Sequence, residues 1–427
     1  MNEKKGRRSL GCLVVKFGGS SLADGPRIAR AIESVIKKAK QGARIVVVVS
    51  AMGRTTDGLI EAATQACMGK TPGDSLDDIM AMGERTSARI FSAGLRARGQ
   101  KSLYLDPARP DWPIMTDDRF TNARPILNLC EGLIRKTIMP LIEDGAVVVV
   151  PGFIGKTEDG RVTTMGRGGS DITALILAKA LAADQIIMVT DVEGIMTADP
   201  KVIKNSKKLD EITVDALVGL ADSGTKFIHK KALRYKDSDT DIKVINCSSG
   251  DLDADGTLIH GSFPNEIIVD SYAEPAMAVT IVGERASESF ETLKSILGEI
   301  EKADLSLLGM SINRNSVILY LPMRGTDDLL EALHSIVVRD ERAIALAVRK
   351  NLAFIRVKGV GLEETPGVIS RITSALNSAG INIYGIFTIT SSVELFVDLN
   401  LKENAISLIS EALEAYNEMS RQRNEEG

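Results

Sequence analysis

The stretch TTMGRGGSDITALILAKAL, Thr163 to Leu181, constrains the fold more than any other, because a glycine-rich loop runs directly into a helix. Gly166, Gly168 and Gly169 have no Cβ, so the backbone there can take positive φ and approach a bound anion closely. Ser170 suits an N-cap and Asp171 a first turn, and Ile172, Leu175, Ile176 and Ala180 recur behind them at helical spacing. The free N–H groups and positive dipole end of that helix face whatever the loop holds, with Arg167 in its middle. An anion site is expected there.

The flanking chain sets the fold class. CLVVKF, Cys12 to Phe17, reads as a buried strand, followed by the turn KFGGSS and a helix opened by Pro26 with Ile28, Ile32, Val35 and Ile36 on one face. ARIVVVVS, Ala43 to Ser50, is a second strand, and AMGRTTDG then leads into another helical segment. Leu76 to Arg98 reads as a long amphipathic helix, SLYLD as a short strand, and Asn122 to Glu143 as a helix bent near Pro140. AVVVVPGF, IIMVTD and IKVINC add strands, and TEDGR is a hairpin turn leading into the glycine loop. Strands alternating with helices predict one α/β domain with a mainly parallel sheet over residues 1–262. From Ala276 the order becomes strand, helix, strand, strand, helix, and it occurs twice, over 275–345 and 350–420.

Composition removes several function classes. A net charge of −5 gives no electrostatic footprint for nucleic acid. No apolar run reaches the roughly 18 residues of a membrane helix, and MNEKKGRRSLGC lacks the apolar core of a signal peptide, so a cytoplasmic protein with no membrane partner is expected. Cys12, Cys67, Cys130 and Cys247 match no zinc or CxxC spacing and read as small apolar residues.

The motifs point to charge handling. Lys16 sits at the mouth of the first strand with Gly18 and Gly19 behind it, so a cation and close-approaching amides converge as phosphate requires. GFIGKT, Gly152 to Thr157, imitates a Walker loop but has two residues between its glycines where four are needed. Arg167 can grip a carboxylate through two parallel N–H bonds and Glu84 can hold an ammonium, so together they would recognise an amino acid. Ser50, Thr56 and Asp171 add polar groups at strand ends. Taken singly, Glu84 fits a solvated helix residue, Thr56 an N-cap, Asp171 a dipole partner and Lys16 a structural turn. TDVEGIMTADPK, Thr190 to Lys201, reads equally as a nucleotide pocket or a surface loop, and Lys226 as a phosphate cation or a solvated lysine. His229, the one histidine near a motif, reads as a cap or a packing residue.

KFGGSS (Lys16 to Ser21), SAMGRTTD (Ser50 to Asp57), GER (Gly83 to Arg85), GRGGSD (Gly166 to Asp171), TDVEGIMTADP (Thr190 to Pro200) and the paired C-terminal units together resemble the aspartokinases. That resemblance spans nearly the whole chain. It implies an amino acid kinase-like three-layer α/β sandwich followed by two ACT-like, ferredoxin-like α+β units. The activity implied is ATP- and Mg2+-dependent phosphorylation of the L-aspartate side chain, the entry to lysine, threonine and methionine synthesis. Carried over, Lys16 and Asp171 would be catalytic, with Gly18, Gly19 and Ser20 at the phosphates. Ser50, Thr56, Glu84 and Arg167 would hold aspartate, while Thr190, Asp191, Thr197, Asp199, Lys201 and Lys226 would line the nucleotide site. No metal ligand is implied from the protein itself. Thr365, Pro366, Gly367, Asn382 and Ile383 would bind an effector, lysine or threonine, and the ACT-like units would make a homodimer or larger homo-oligomer. The sequence departs from the family at Glu193 and Met196, at IHKK (Ile228 to Lys231), and at ERASESF, where the first ACT-like unit has no Pro-Gly loop. A kinase of glutamate or N-acetylglutamate, or an amino acid sensor without catalysis, are the alternatives.

Overall fold

The computed structural model describes residues 11–221, 228–262, 267–284, 290–359, 362, 367–389 and 391–422. The chain divides into two compact units, Met1–Asn265 and Glu266–Gly427.

The first unit begins with β1 (Cys12–Phe17), α1 (Gly25–Lys40), β2 (Arg44–Val49), α2 (Thr55–Ala66), α3 (Gly73–Ala97) and β3 (Ser102–Tyr104). It continues with α4 (Leu127–Thr137), α5 (Met139–Glu143), β4 (Val147–Pro151), the hairpin β5 (Ile154–Lys156) and β6 (Val162–Thr164), α6 (Gly169–Leu181) and β7 (Gln185–Thr190). β8 (Glu211–Thr213), α7 (Val214–Ala221), α8 (Lys230–Leu233), β9 (Asp241–Asn246) and β10 (Thr257–His260) complete it. Eight strands form one sheet in the order β3-β4-β2-β1-β7-β9-β10-β8, parallel at every pairing except β9 with β10.

Side chains alternate across a strand, and this sheet is buried on both faces. Leu13, Val15 and Phe17 of β1 pack with Ile28, Ile32 and Val35 of α1 and with Phe91 and Leu95 of α3. α6, buried along nearly its whole length, packs against β1, β2 and β7. Val14 and Lys16 belong to the other row of β1 side chains, which is why a lysine near the strand's end can meet α6.

One expected helix is shorter than its sequence pattern. Residues Asn122 to Ile126 are not helical: Pro125 bridges Thr116, and Ala123 N donates to Thr164 O at 2.9 Å, so pairing with β6 wins over helical propensity. The helix starts two residues after Pro125 and is interrupted at Ile138, before Pro140.

The second unit contains β11 (Ile268–Ser271), β12 (Ala276–Gly283), α9 (Phe290–Lys302), β13 (Gly309–Asn313), β14 (Ser316–Pro322) and α10 (Asp327–Arg339). β15 (Ala343–Lys358), α11 (Val368–Ser378), β16 (Gly385–Ile389), β17 (Ser392–Asp398) and α12 (Lys402–Gln422) follow. Its sheet, β13-β14-β12-β15-β17-β16 with β11 beside β15, is antiparallel throughout. α9 and α10 cover Val279, Ile281 and Leu319, and α11 and α12 cover Ile355, Val357 and Leu395. Tyr320, Phe354 and Phe396 stack on the opposite face, with centroids 4.1 and 4.9 Å apart.

β15 crosses the expected boundary between the two small units without a break, pairing β12 from Ala343 to Leu352 and β17 from Leu352 to Lys358. At the changeover two of its residues oppose one on β12, and Asn351 takes φ +60, a left-handed conformation that asparagine tolerates.

Candidate functional site

The residues of interest gather at the carboxyl ends of the parallel strands, where open α/β sheets hold ligands. Lys16 Nζ lies 2.7 Å from Asp171 Oδ1 in the first turn of α6, with both side chains largely buried. At that separation the two opposite charges form an ion pair. Asp171 Oδ2 accepts a bond from His229 N at 3.3 Å.

Beyond Lys16 the chain turns and is tied to β7 and to the turn that follows β2. Gly18 N donates to Val189 O at 3.1 Å, and Gly53 N donates to Gly19 O at 3.0 Å. A Cβ on Gly19 would stand 2.9 Å from Ala51 O, and one on Gly18 would stand 3.9 Å from Lys16 Nζ. Bare backbone beside a fixed ammonium is a cradle for phosphate.

After β2, Ser50 Oγ donates to Ser170 Oγ at 3.1 Å, and Ala51 N donates to Glu84 Oε1 at 3.0 Å. Glu84, on α3, is 5% exposed, and its Oε2 is buried with no partner. Burial pushes its carboxyl up to about 7, against the pull of the Ala51 N–H. A buried carboxyl with one oxygen unsatisfied is costly unless a ligand cation completes it. α3 approaches this closely because residue 83 is glycine: a Cβ there would lie 2.8 Å from Ala51 Cβ and 3.3 Å from Thr56 Oγ1. Lys16, Asp171, Ser170, Ser50, Ala51 and Glu84 thus form an unbroken chain of neighbours, with Thr56 at its side.

The glycine loop takes φ +69 at Gly166 and +78 at Gly168, with the exposed Arg167 between them. Gly168, and not Ser170, is the N-cap of α6, since Ser170 already lies within the helix and meets Ser50 through its hydroxyl. A Cβ on Gly168 would come within 2.4 Å of His229 Cβ, so α8 seats its first residues against the loop. His229 caps α8, its Nδ1 accepting from Lys231 N.

The nucleotide candidates are held differently. Thr190 closes β7 beside Gly18, and its hydroxyl donates to Asp191 Oδ1 at 3.3 Å. Thr197 Oγ1 accepts from Lys207 N and Asp199 Oδ1 from Lys201 N, both at 2.9 Å, so these bonds run within one exposed loop. Lys226, Thr365 and Pro366 lie outside the described residues. Gly367 caps α11 with φ +88, Asn382 is exposed, and Ile383 packs on the core beneath α11 and α12.

Sequence reasoning missed Asp77, Asn122 and Lys231. Asp77, fully buried on α3 about two helical turns before Glu84, accepts from Thr121 N with both oxygens and from Thr164 N at 2.8 Å and Thr164 Oγ1 at 2.6 Å. Lys231 Nζ donates to Met165 O at 2.9 Å and to Asn122 Oδ1 at 2.5 Å. Burial, helped by Arg234 and Arg124 and opposed by Asp117, lowers the Lys231 pKa to about 8. The only sequence signals were an acid on the Glu84 helix and a lysine where a motif departs from its usual form.

Residues 11–246 match the profile of the amino acid kinase family. The chain is 31% identical to the aspartokinase of Geobacillus stearothermophilus over 94% of its own length and 97% of that protein's. It is 30% identical to aspartokinase 2 of Bacillus subtilis over 95% and 98% of the two chains. Among solved structures, it resembles the aspartate kinase from Synechocystis, with 26% identity, a TM-score of 0.77, and coverage of 94% of this chain and 69% of that one. It also resembles E. coli aspartokinase III in complex with aspartate and ADP, with 25% identity, a TM-score of 0.54, and coverage of 94% and 99%.

Proposed function

The chain belongs to the amino acid kinase family, among its aspartokinases, and from that premise we propose that it transfers the γ-phosphoryl group of ATP to the side-chain carboxylate of L-aspartate. The observation that carries the reading is the run of contacts joining a fixed lysine to a buried, half-satisfied carboxyl across two strand ends.

The chemistry fits those groups. The aspartate carboxylate is ionised at neutral pH, so it attacks phosphorus without a general base, and the bond to the ADP oxygen breaks as the new one forms. What the protein must supply is alignment and cancellation of negative charge. Lys16, oriented by Asp171, would draw charge from the phosphoryl oxygens, with the Gly18, Gly19 and Ser20 backbone at the phosphates. Glu84 would take the substrate ammonium on its free oxygen, and that cation would restore the carboxylate form of a group that burial holds near neutrality. Arg167 would grip the α-carboxylate, with Ser50 and Thr56 alongside. Thr190, Asp191, Thr197, Asp199 and Lys201 would border the nucleotide. Magnesium would come on the ATP phosphates and share their charge, since the nearest acid, Asp171, is already engaged by Lys16.

Regulation belongs to the second unit. We assign residues 1–262 to catalysis and 275–345 with 350–420 to control, with an amino acid effector, lysine or threonine, near Gly367, Asn382 and Ile383. Ile344, Ile389 and Ile312 are exposed on its strands, which supports a homodimer through this sheet. The cytoplasm is the compartment we propose.

ADP release with aspartate, glutamate and N-acetylglutamate, with hydroxylamine to trap the acyl phosphate, tests the reading. Turnover and hydroxamate with aspartate alone are expected. Preference for either other acid, or no turnover at all, would overturn it.

A further inference from the structure

The loop that carries Arg167 is gripped from two sides by residues that the chemistry above does not use. On one side the buried Asp77 holds Thr121 N and both the N–H and hydroxyl of Thr164, tying the segment before α4 to the end of β6. On the other side Lys231 Nζ bonds Met165 O, the carbonyl immediately before the loop, and Asn122 Oδ1. Gly166 lies between the two grips: with φ +69, a Cβ there would be 3.0 Å from Asn122 Oδ1 and 3.1 Å from Thr121 O. The loop is therefore wedged against a segment that is itself fixed at both ends.

We propose that Lys231 is a positioning residue, which clamps Met165 and Asn122 while Asp77 holds Thr164 and Thr121, and so sets the direction in which Arg167 presents its guanidinium to the substrate α-carboxylate. This rests on the reading of Arg167 as the carboxylate reader. Arginine recognises a carboxylate through a planar fork, so a small rotation of its backbone loses the paired bonds. The ammonium of Lys231 suits the task because it offers three donors to two oxygens on different segments. His229, two residues before Lys231, anchors this end of α8, with its backbone N–H on Asp171 and its side chain against Gly168.

The test compares wild type, Lys231→Met, Arg167→Ala and the double variant, using Lys231→Met because it keeps the apolar stem. Lys231→Met should raise KM for aspartate about tenfold while kcat and KM for ATP stay within about twofold. In the Arg167→Ala background it should add little, because the loop no longer carries the group it orients. Effects that multiply in the double variant, or a fall in kcat at unchanged KM, would overturn the proposal. Amide hydrogen exchange over Thr163 to Gly169 is followed in parallel and does not depend on the substrate. Faster exchange there in Lys231→Met, with α3 unchanged, is expected, and unchanged exchange overturns the clamp. A wild type inactive on aspartate would instead sink the functional reading, leaving the exchange result to decide the clamp.

Discussion

The two sides of the proposed site are built on different principles. On the phosphoryl and amino acid side, Lys16, Asp171, Ser50 and Glu84 come from β1, α6, the end of β2 and α3, and they touch across that distance in sequence. On the nucleotide side, Thr197 and Asp199 bond mainly to neighbours in one exposed loop. The first side costs desolvation and holds its geometry before a ligand comes, whereas the second stays solvated and can adjust to one. On the proposed reading, groups that would act on a transition state are on the stiff side, and groups that would only hold the nucleotide are on the soft one.

The strongest way to break that contrast is Lys16→Ala. Turnover should fall on the order of a thousandfold with KM for aspartate changed only a few-fold, as steady-state rates over a range of aspartate would reveal. A variant that keeps its turnover would mean the stiff side is not where charge is cancelled.

Glu84→Gln sharpens the contrast. KM for aspartate should rise roughly 10–100-fold, as expected for losing a charged partner in a buried place. The wild-type kcat/KM for aspartate should climb as pH rises through about 7, where Glu84 ionises, and the variant should lose that limb. Stability gives the second readout. The folded-state pKa lies above the ordinary value of 4.5, so the unliganded protein is penalised as pH rises from 4.5 through about 7 and carries the full penalty above it. Relative to wild type, the variant should therefore gain stability at pH 8, by at most about 3 kcal/mol, and lose that gain below pH 4.5. Equal denaturation midpoints for the two proteins at pH 8 would contradict the buried, half-satisfied state of this carboxyl.

The smallest effect is expected on the soft side. Asp199→Ala removes an exposed carboxylate that accepts a local turn bond, and KM for ATP should rise about two- to threefold with kcat unchanged. A loss comparable to that of Lys16→Ala would erase the distinction.

Much of this arrangement was legible in the sequence, and the exceptions have physical causes. β1 carries the expected bounds because a short apolar run is a local signal. Lys16 and Asp171 are brought together in advance only by the resemblance to aspartokinases, and the structure puts them in contact. The segment Asn122 to Ile126 carries a helical pattern that pairing with β6, far along the chain, overrides, and Pro125 is the one local sign of it. Ser170 looked like the better cap, but a left-handed Gly168 takes that position. Asp77 and Lys231 act on backbone groups of distant segments, and no spacing rule announces a side chain whose partners are carbonyls and amides. The single strand joining the two small units was hidden by its own kink, since Asn351 interrupts the apolar pattern that would have marked it as continuous.

Because β15 serves both halves of the second unit's sheet, those halves share a mechanical member. A twist imposed on one half by a bound effector would be felt as register strain in the other, and the irregularity nearest the junction able to absorb it is the bulge at Asn351. A regulator built on such a beam responds as a whole, and cutting it between the halves would leave two raw sheet edges in place of two sensors.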